Sequence, residues 1–257
     1  MLLTTIVFLP LLGALLVLIA GGRGDRPERE GMVRNVALIA SLVAFAATLY
    51  LWWRFNPAEA GFQFVENRAW LPQFGISYHL GVDGISLFLI VLTGFLTPLS
   101  LLCSWESTHK NVKLCSFFLL ALESAMLGVF VSIDLFLFYI FWDAVLIPMY
   151  FLIGIWGYER RIYAAVKFIL YTMAGSILML VAIIGLSYAH ASVTGTQTFD
   201  ITQLYGTALS WQMRSGSSSP SRWRSSSRSR SSRSTPGCQT RTSKRRPPGR
   251  SSSPASC

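Results

Sequence analysis

Along the first 188 positions, long apolar runs alternate with short polar stretches. The apolar runs cover residues 3–20, 36–53, 85–103, 114–132, 135–156 and 165–188. Each approaches or reaches the roughly 20 residues a helix needs to cross a hydrocarbon core about 30 Å thick. The pattern therefore predicts an all-α, polytopic transmembrane helix bundle. Only Ile133 and Asp134 separate the fourth and fifth runs, so these two form a tight helical hairpin. A polar stretch rich in Gly and aromatic residues occupies 56–83, and a polar loop runs from 189 to about 213. The first run has no basic segment before it and no A-x-A site, and reads as a first span rather than a signal peptide. From 214 to 257 the chain is mostly Ser, Arg and Pro without apolar periodicity, a composition that predicts disorder. The expected organisation is a transmembrane domain, 1–213, followed by a tail, 214–257.

Composition agrees. Hydrophobic residues make up 52% and charged ones 13% of the 257 positions, against about 25% charged in soluble domains. The formal charge of +10 suggests nucleic acid only until it is located, because most of the excess follows Met213. Before that point the loops after odd-numbered spans carry Arg23, Arg26, Arg29, Arg34, Lys110, Lys113, Arg160 and Arg161. The loops after even-numbered spans carry Arg54 and Arg68. The positive-inside rule places the odd loops in the cytoplasm and the N-terminus outside, with a bacterial inner membrane as the setting. The tail then lies outside, away from cytoplasmic nucleic acid. A membrane-anchored basic tail that binds nucleic acid is thus the weakest of the functional readings. Cys103, Cys115, Cys238 and Cys257 show no metal-ligand or disulfide spacing, and no cofactor-binding motif is present.

The candidate chemistry is two acids. Glu123 lies in the fourth run and Asp143 in the fifth, each ten residues from Ile133. At 1.5 Å per residue both sit about 15 Å from the hairpin turn, near mid-membrane. A carboxylate there costs about 2.5–3.5 kcal/mol on insertion scales, so intramembrane acids are candidate functional sites. If the two face one another, repulsion and desolvation let at least one hold a proton near neutral pH; the alternative is neutral packing residues. Pro148 frees the Ala144 carbonyl, which predicts a kink and a site for water, or a kink that serves packing. Lys167 opens the sixth run, as a partner for an acid or, favoured by position, as a lysine reaching the interface. His79 and Asp83 read as interfacial or helix-capping groups.

Three blocks resemble a known family. YHLGVDGISLFLIVLT (78–93), FYIFWDAVLIPMYFLIGIWG (138–157) and YAAVKFILYTMAGSILML (163–180) resemble the antiporter-like membrane subunits of proton-pumping NADH–quinone oxidoreductase, respiratory complex I, of the chain M or subunit 4 type. The resemblance covers about residues 1–213. It implies a fourteen-span inverted-repeat fold, of which six spans are present. It also implies proton transfer from an acid on the fifth span to a lysine on the seventh, driven by electron transfer elsewhere in the complex. On that implication Asp143, Glu123 and Lys167 form the proton relay. NAD, FMN, Fe–S clusters and quinone belong to other subunits, and the partners are other membrane subunits and the lipid bilayer. The family usually carries Glu where this chain has Asp143. Multisubunit Na⁺/H⁺ antiporters and membrane-bound hydrogenases share the same logic and are the alternative.

The tail carries a further expectation. Residues 234–249, STPGCQTRTSKRRPPG, have a synonymous codon set that reads FHTWLPDAHVEAPPAG one nucleotide earlier. In the same frame 223–233 permit LAFVIKVPLFP and 250–257 permit SVILAGVL. Together these resemble the family's lysine-bearing seventh span with its next loop and eighth span. The expectation is a frameshift near Met213–Ser215, and a chain that does not pump without the seventh span.

Overall fold

In lipid a backbone N–H or C=O finds no solvent partner, so a spanning segment satisfies its own groups as a helix. The structure, a computed structural model, describes residues 1–22, 27–59, 61–71, 75–107 and 111–205. Arg23, Arg26, Lys110, Cys238, Cys257 and the tail lie outside the described residues. Six helices are long and apolar enough to cross a membrane. They are α1 (Leu2–Ala20), α2 (Pro27–Arg54), α3 (Gly84–Ser107), α4 (Val112–Val131), α5 (Leu135–Trp156) and α6 (Arg161–Thr194), followed by the short α7 (Ile201–Leu204).

Helix α4 is the hub. It packs on α1, α2, α3 and α5, while α6 packs on α5. Half of the α4 span is buried (50%), against 11% for α5 and for α6. The outward faces of α5 and α6, with Ile147, Tyr171 and Leu178 exposed, are therefore presented to lipid or to further protein. Where α4 meets α5, Gly128 lies against the ring of Phe141, and a Cβ there would collide with it.

The stretch 56–83 is more regular than its composition suggested. It contains a two-stranded antiparallel hairpin, β1 (Gln63–Leu71) and β2 (Ile76–Val82). The register pairs Glu66 with Leu80 and Arg68 with Tyr78. Leu80 and Val82 enter the core beside Leu3, Val7, Leu127 and Val131. Gly75 precedes β2 at φ +69°, where a side chain would strike the carbonyl of Gln197. The alternation of apolar Ile76, Tyr78, Leu80 and Val82 with Ser77, His79 and Gly81 is the signal for this strand.

The hairpin is tied to the bundle at two places. At the first, Glu66 receives the start of α1. The Leu3 amide donates to its Oε1 at 2.9 Å, the Thr4 hydroxyl to its Oε2 at 2.5 Å, and the N-terminal amine forms an ion pair with it. Burial pulls the Glu66 carboxyl upward. The bonds from the amine, Thr4 and Leu3 outweigh that and hold it below the usual carboxylate range. A group depressed on folding stabilises the fold above its unfolded pKa and loses that contribution as pH falls through the folded value. Protection of 63–71 from hydrogen exchange, taken relative to the intrinsic rate at each pH, is thus expected to fall as pH drops below about 4.3, the free glutamate value, and Glu66→Gln is expected to remove this pH step. An unchanged step in the variant would assign it to another group.

At the second place, the 132–134 turn lies between β2 and the 199–201 segment. The Ile133 amide donates to the His79 carbonyl (2.9 Å), and the Leu135 amide to that of Phe199 (2.9 Å). Asp134, fully buried, caps α5 by accepting from the amides of Phe136 (2.9 Å) and Leu137 (3.2 Å) through Oδ1. Its Oδ2 accepts from the Ser77 amide (3.0 Å) and hydroxyl (3.3 Å). Asp200 caps α7 and meets His79 Nδ1 at 3.0 Å. His79 is therefore a buried, paired residue. Asp83 immediately precedes α3: its backbone amide donates to the Ser86 hydroxyl, that hydroxyl donates to the Asp83 carbonyl, and the Asp83 side chain accepts, among the described residues, only from the Gly84 amide.

Candidate functional site

The polar atoms inside the bundle define the site. Glu123 lies eight residues before the end of α4 and Asp143 eight residues after the start of α5. Each is therefore about 12 Å from the hairpin end of its helix. The two helices pack together, and at the Gly128–Phe141 contact Gly128 lies five residues beyond Glu123 and Phe141 two residues before Asp143.

Their environments differ. Glu123 is 1% exposed. Neither of its carboxyl oxygens has a hydrogen-bond partner among the described residues. Such a carboxyl is stable as the neutral acid, or with a partner supplied by hydration or by further protein. Asp143 is half-buried and faces α6, where the Ser176 hydroxyl donates to its Oδ1 at 2.5 Å. The two carboxyls share a depth, but no hydrogen bond joins them. Helix α5 runs through Pro148 without interruption. Lys167 is exposed on α6, its Nζ 5.9 Å from the ring centroids of both Tyr163 and Tyr171, the aromatic contact typical of a lysine reaching along its own helix.

Ser176 is the residue that sequence reading missed. It is a single hydroxyl within AGSILML, and serines are common in membrane helices, where they bond back to their own backbone. Nothing in its sequence context distinguishes it from those. No group of three or more metal-ligating side chains is formed among the described residues.

Two family models match the chain. That for the amino terminus of NADH-ubiquinone oxidoreductase chain 4 covers residues 34–133. That for the membrane region of NADH:quinone oxidoreductase and Mrp antiporters covers 132–218. NADH-quinone oxidoreductase subunit M of Rhodobacter capsulatus is 48% identical over 77% of this chain and 38% of its own length. The chain belongs to the subunit M (chain 4) family and carries its N-terminal part. A further member, NAD(P)H-quinone oxidoreductase chain 4 2 of Trichodesmium erythraeum, is 43% identical over 79% of this chain and 35% of its own length. The chain thus spans under two fifths of the length of these relatives. The fold recurs in a chain of respiratory complex I from Thermus thermophilus, solved with bound NADH. There the TM-score is 0.63 at 24% identity, over 81% of this chain and 40% of that one. It recurs again in the Mrp complex of Dietzia sp., with a TM-score of 0.61 at 16% identity over 77% of this chain and 20% of that one. The match to the family is to a multi-pass membrane protein, as the six helices are.

Proposed function

We propose that this chain supplies the N-terminal part of a proton-translocating membrane subunit of an NADH–quinone oxidoreductase, with Asp143 as its proton-exchanging group. The observation that carries the reading is an acid hydrogen-bonded to a buried serine midway along two apolar spanning helices. Such an acid has no structural need that an apolar residue would not meet more cheaply. Glu123, at the same depth on the neighbouring helix, is the second proton station. Lys167, about 14 Å along α6 from Ser176, stands at the mouth of the path on the Arg161 side. The partners are the other membrane subunits of the respiratory complex and the surrounding lipid. The nicotinamide, flavin, Fe–S and quinone chemistry belongs to those other subunits. The loop charges support a bacterial inner membrane with the N-terminus outside.

The likeness to an Mrp antiporter complex favours a second reading, a subunit of a multisubunit Na⁺/H⁺ antiporter. A chimera separates the two. Residues 1–205 of this chain, replacing the matching part of the Rhodobacter capsulatus subunit M, are expected to support NADH-driven acidification of inverted membrane vesicles without added sodium. Assembly without acidification, or acidification that requires Na⁺, would overturn the proton-pump reading.

A further inference from the structure

We infer that Ser176 is the positioning residue for Asp143, a hydroxyl that stays bonded to the carboxyl whether or not the carboxyl carries its proton. The inference rests on the reading of Asp143 as a proton-exchanging group.

The first support is what most other hydroxyls in these helices do, Ser124 being an exception that donates to the Val7 carbonyl of α1. Thr93, Thr97, Ser100 and Thr172 each donate to the carbonyl four residues earlier on their own helix, at 2.8–3.1 Å. This back-bonding is the ordinary fate of Ser and Thr in an apolar helix. Ser176 leaves it and reaches across to α5, donating to Asp143 Oδ1 at 2.5 Å. It is only 4% exposed, so its hydroxyl is shielded from bulk water.

The second support is depth. Ser176 lies 15 residues from the start of α6 and Asp143 13 residues from the end of α5. Both are therefore roughly 20 Å from the Trp156–Arg161 turn. The bond is level across two neighbouring helices and sits deep in the membrane, away from the frayed ends where polar contacts are easily exchanged.

The third support is the chemistry of the pair. A hydroxyl has one proton to donate and two lone pairs to receive one, whereas an ionised carboxylate only accepts and a protonated one can also donate. Ser176 donates to Asp143 as the carboxylate and accepts from it as the acid. Proton gain or loss at Asp143 therefore reverses the direction of the bond without breaking it. The carboxyl stays aimed at α6 through the exchange. This matters more for Asp than for Glu, because the shorter side chain has less reach with which to find another partner.

The test uses the 257-residue chain in lipid nanodiscs, labelled with ¹³C-aspartate, and follows carboxyl bands by infrared spectroscopy across a pH titration. Asp143→Asn identifies the band by its loss. Ser176→Ala is expected to move that band to higher wavenumber, broaden it and displace its titration midpoint. Ser176→Thr, which keeps the hydroxyl, is expected to restore all three. A role in packing alone would leave the band where it is. If Asp143→Asn removes a pH-dependent band and Ser176→Ala leaves it unchanged, the assignment of Ser176 is wrong and that of Asp143 stands. If Asp143→Asn removes no pH-dependent band, the reading of Asp143 fails and this inference falls with it. Should Ser176→Ala not insert stably, Ser176→Cys replaces the hydroxyl with a much weaker donor, and an unmoved band in that variant is equally decisive against Ser176.

Discussion

Asp143→Asn is expected to reduce proton transfer through this subunit on the order of 100-fold, the lower end of what a positioned acid–base group contributes. Asparagine is nearly isosteric, and its side-chain oxygen can accept the same bond from the Ser176 hydroxyl. Helices α5 and α6 should therefore pack as before, and only proton exchange is lost. In the chimera with the Rhodobacter capsulatus subunit, NADH-driven acidification would fall. Assembly on native gels and NADH oxidation by an artificial acceptor would persist. Asp143→Glu adds one methylene and keeps the carboxyl, so it should keep most of the activity. Undiminished pumping in the Asn variant would remove Asp143 from the path. Loss of pumping together with loss of assembly would show a structural effect, and the Glu variant would then have to fail as well.

The largest effect on stability is expected at Asp134. Replacement by alanine removes the cap of α5, about 1 kcal/mol in typical helices. It also leaves the part-buried amide and hydroxyl of Ser77 without their acceptor, at about 1–3 kcal/mol. The sum is about 2–4 kcal/mol, read as a lowered thermal midpoint in detergent, with hydrogen exchange accelerated first at 76–82 and 135–139. Asp134→Asn keeps one acceptor oxygen and should lose less. A loss within about 0.5 kcal/mol, the range of ordinary surface substitutions, would mean that the turn is held by its backbone bonds alone. The effect reaches the site as well. Asp143 lies nine residues beyond Asp134, about 13 Å up the helix, so the cap sets where α5 begins and thereby the height of its acid.

Much of this was legible in the amino-acid order. Six apolar runs appear as six helices because a lipid environment leaves the backbone one economical solution. The depths of Glu123 and Asp143 came from counting residues to the turn, since the helical rise is constant. The three motif blocks carried the family. The hairpin was less legible because its strands are half-polar. β1 shows little burial, and the pleat is recognisable only in the alternation of β2, from Ile76 to Val82. The buried role of His79 was hidden for a related reason. Its partner, Asp200, is 121 residues away, and no local pattern reports such a distance.

The FWDAVLIP stretch shows the division. Its sequence alone determined that an acid sits deep in a spanning helix, because hydropathy and a fixed rise per residue are local properties. Which neighbour meets that acid was decided by tertiary structure. The matched heights suggested Glu123, on the adjoining helix of the hairpin. Depth says nothing about rotation around a helix axis, and packing directs the Asp143 carboxyl to Ser176 on α6, while Glu123 points into a site with no protein partner among the described residues.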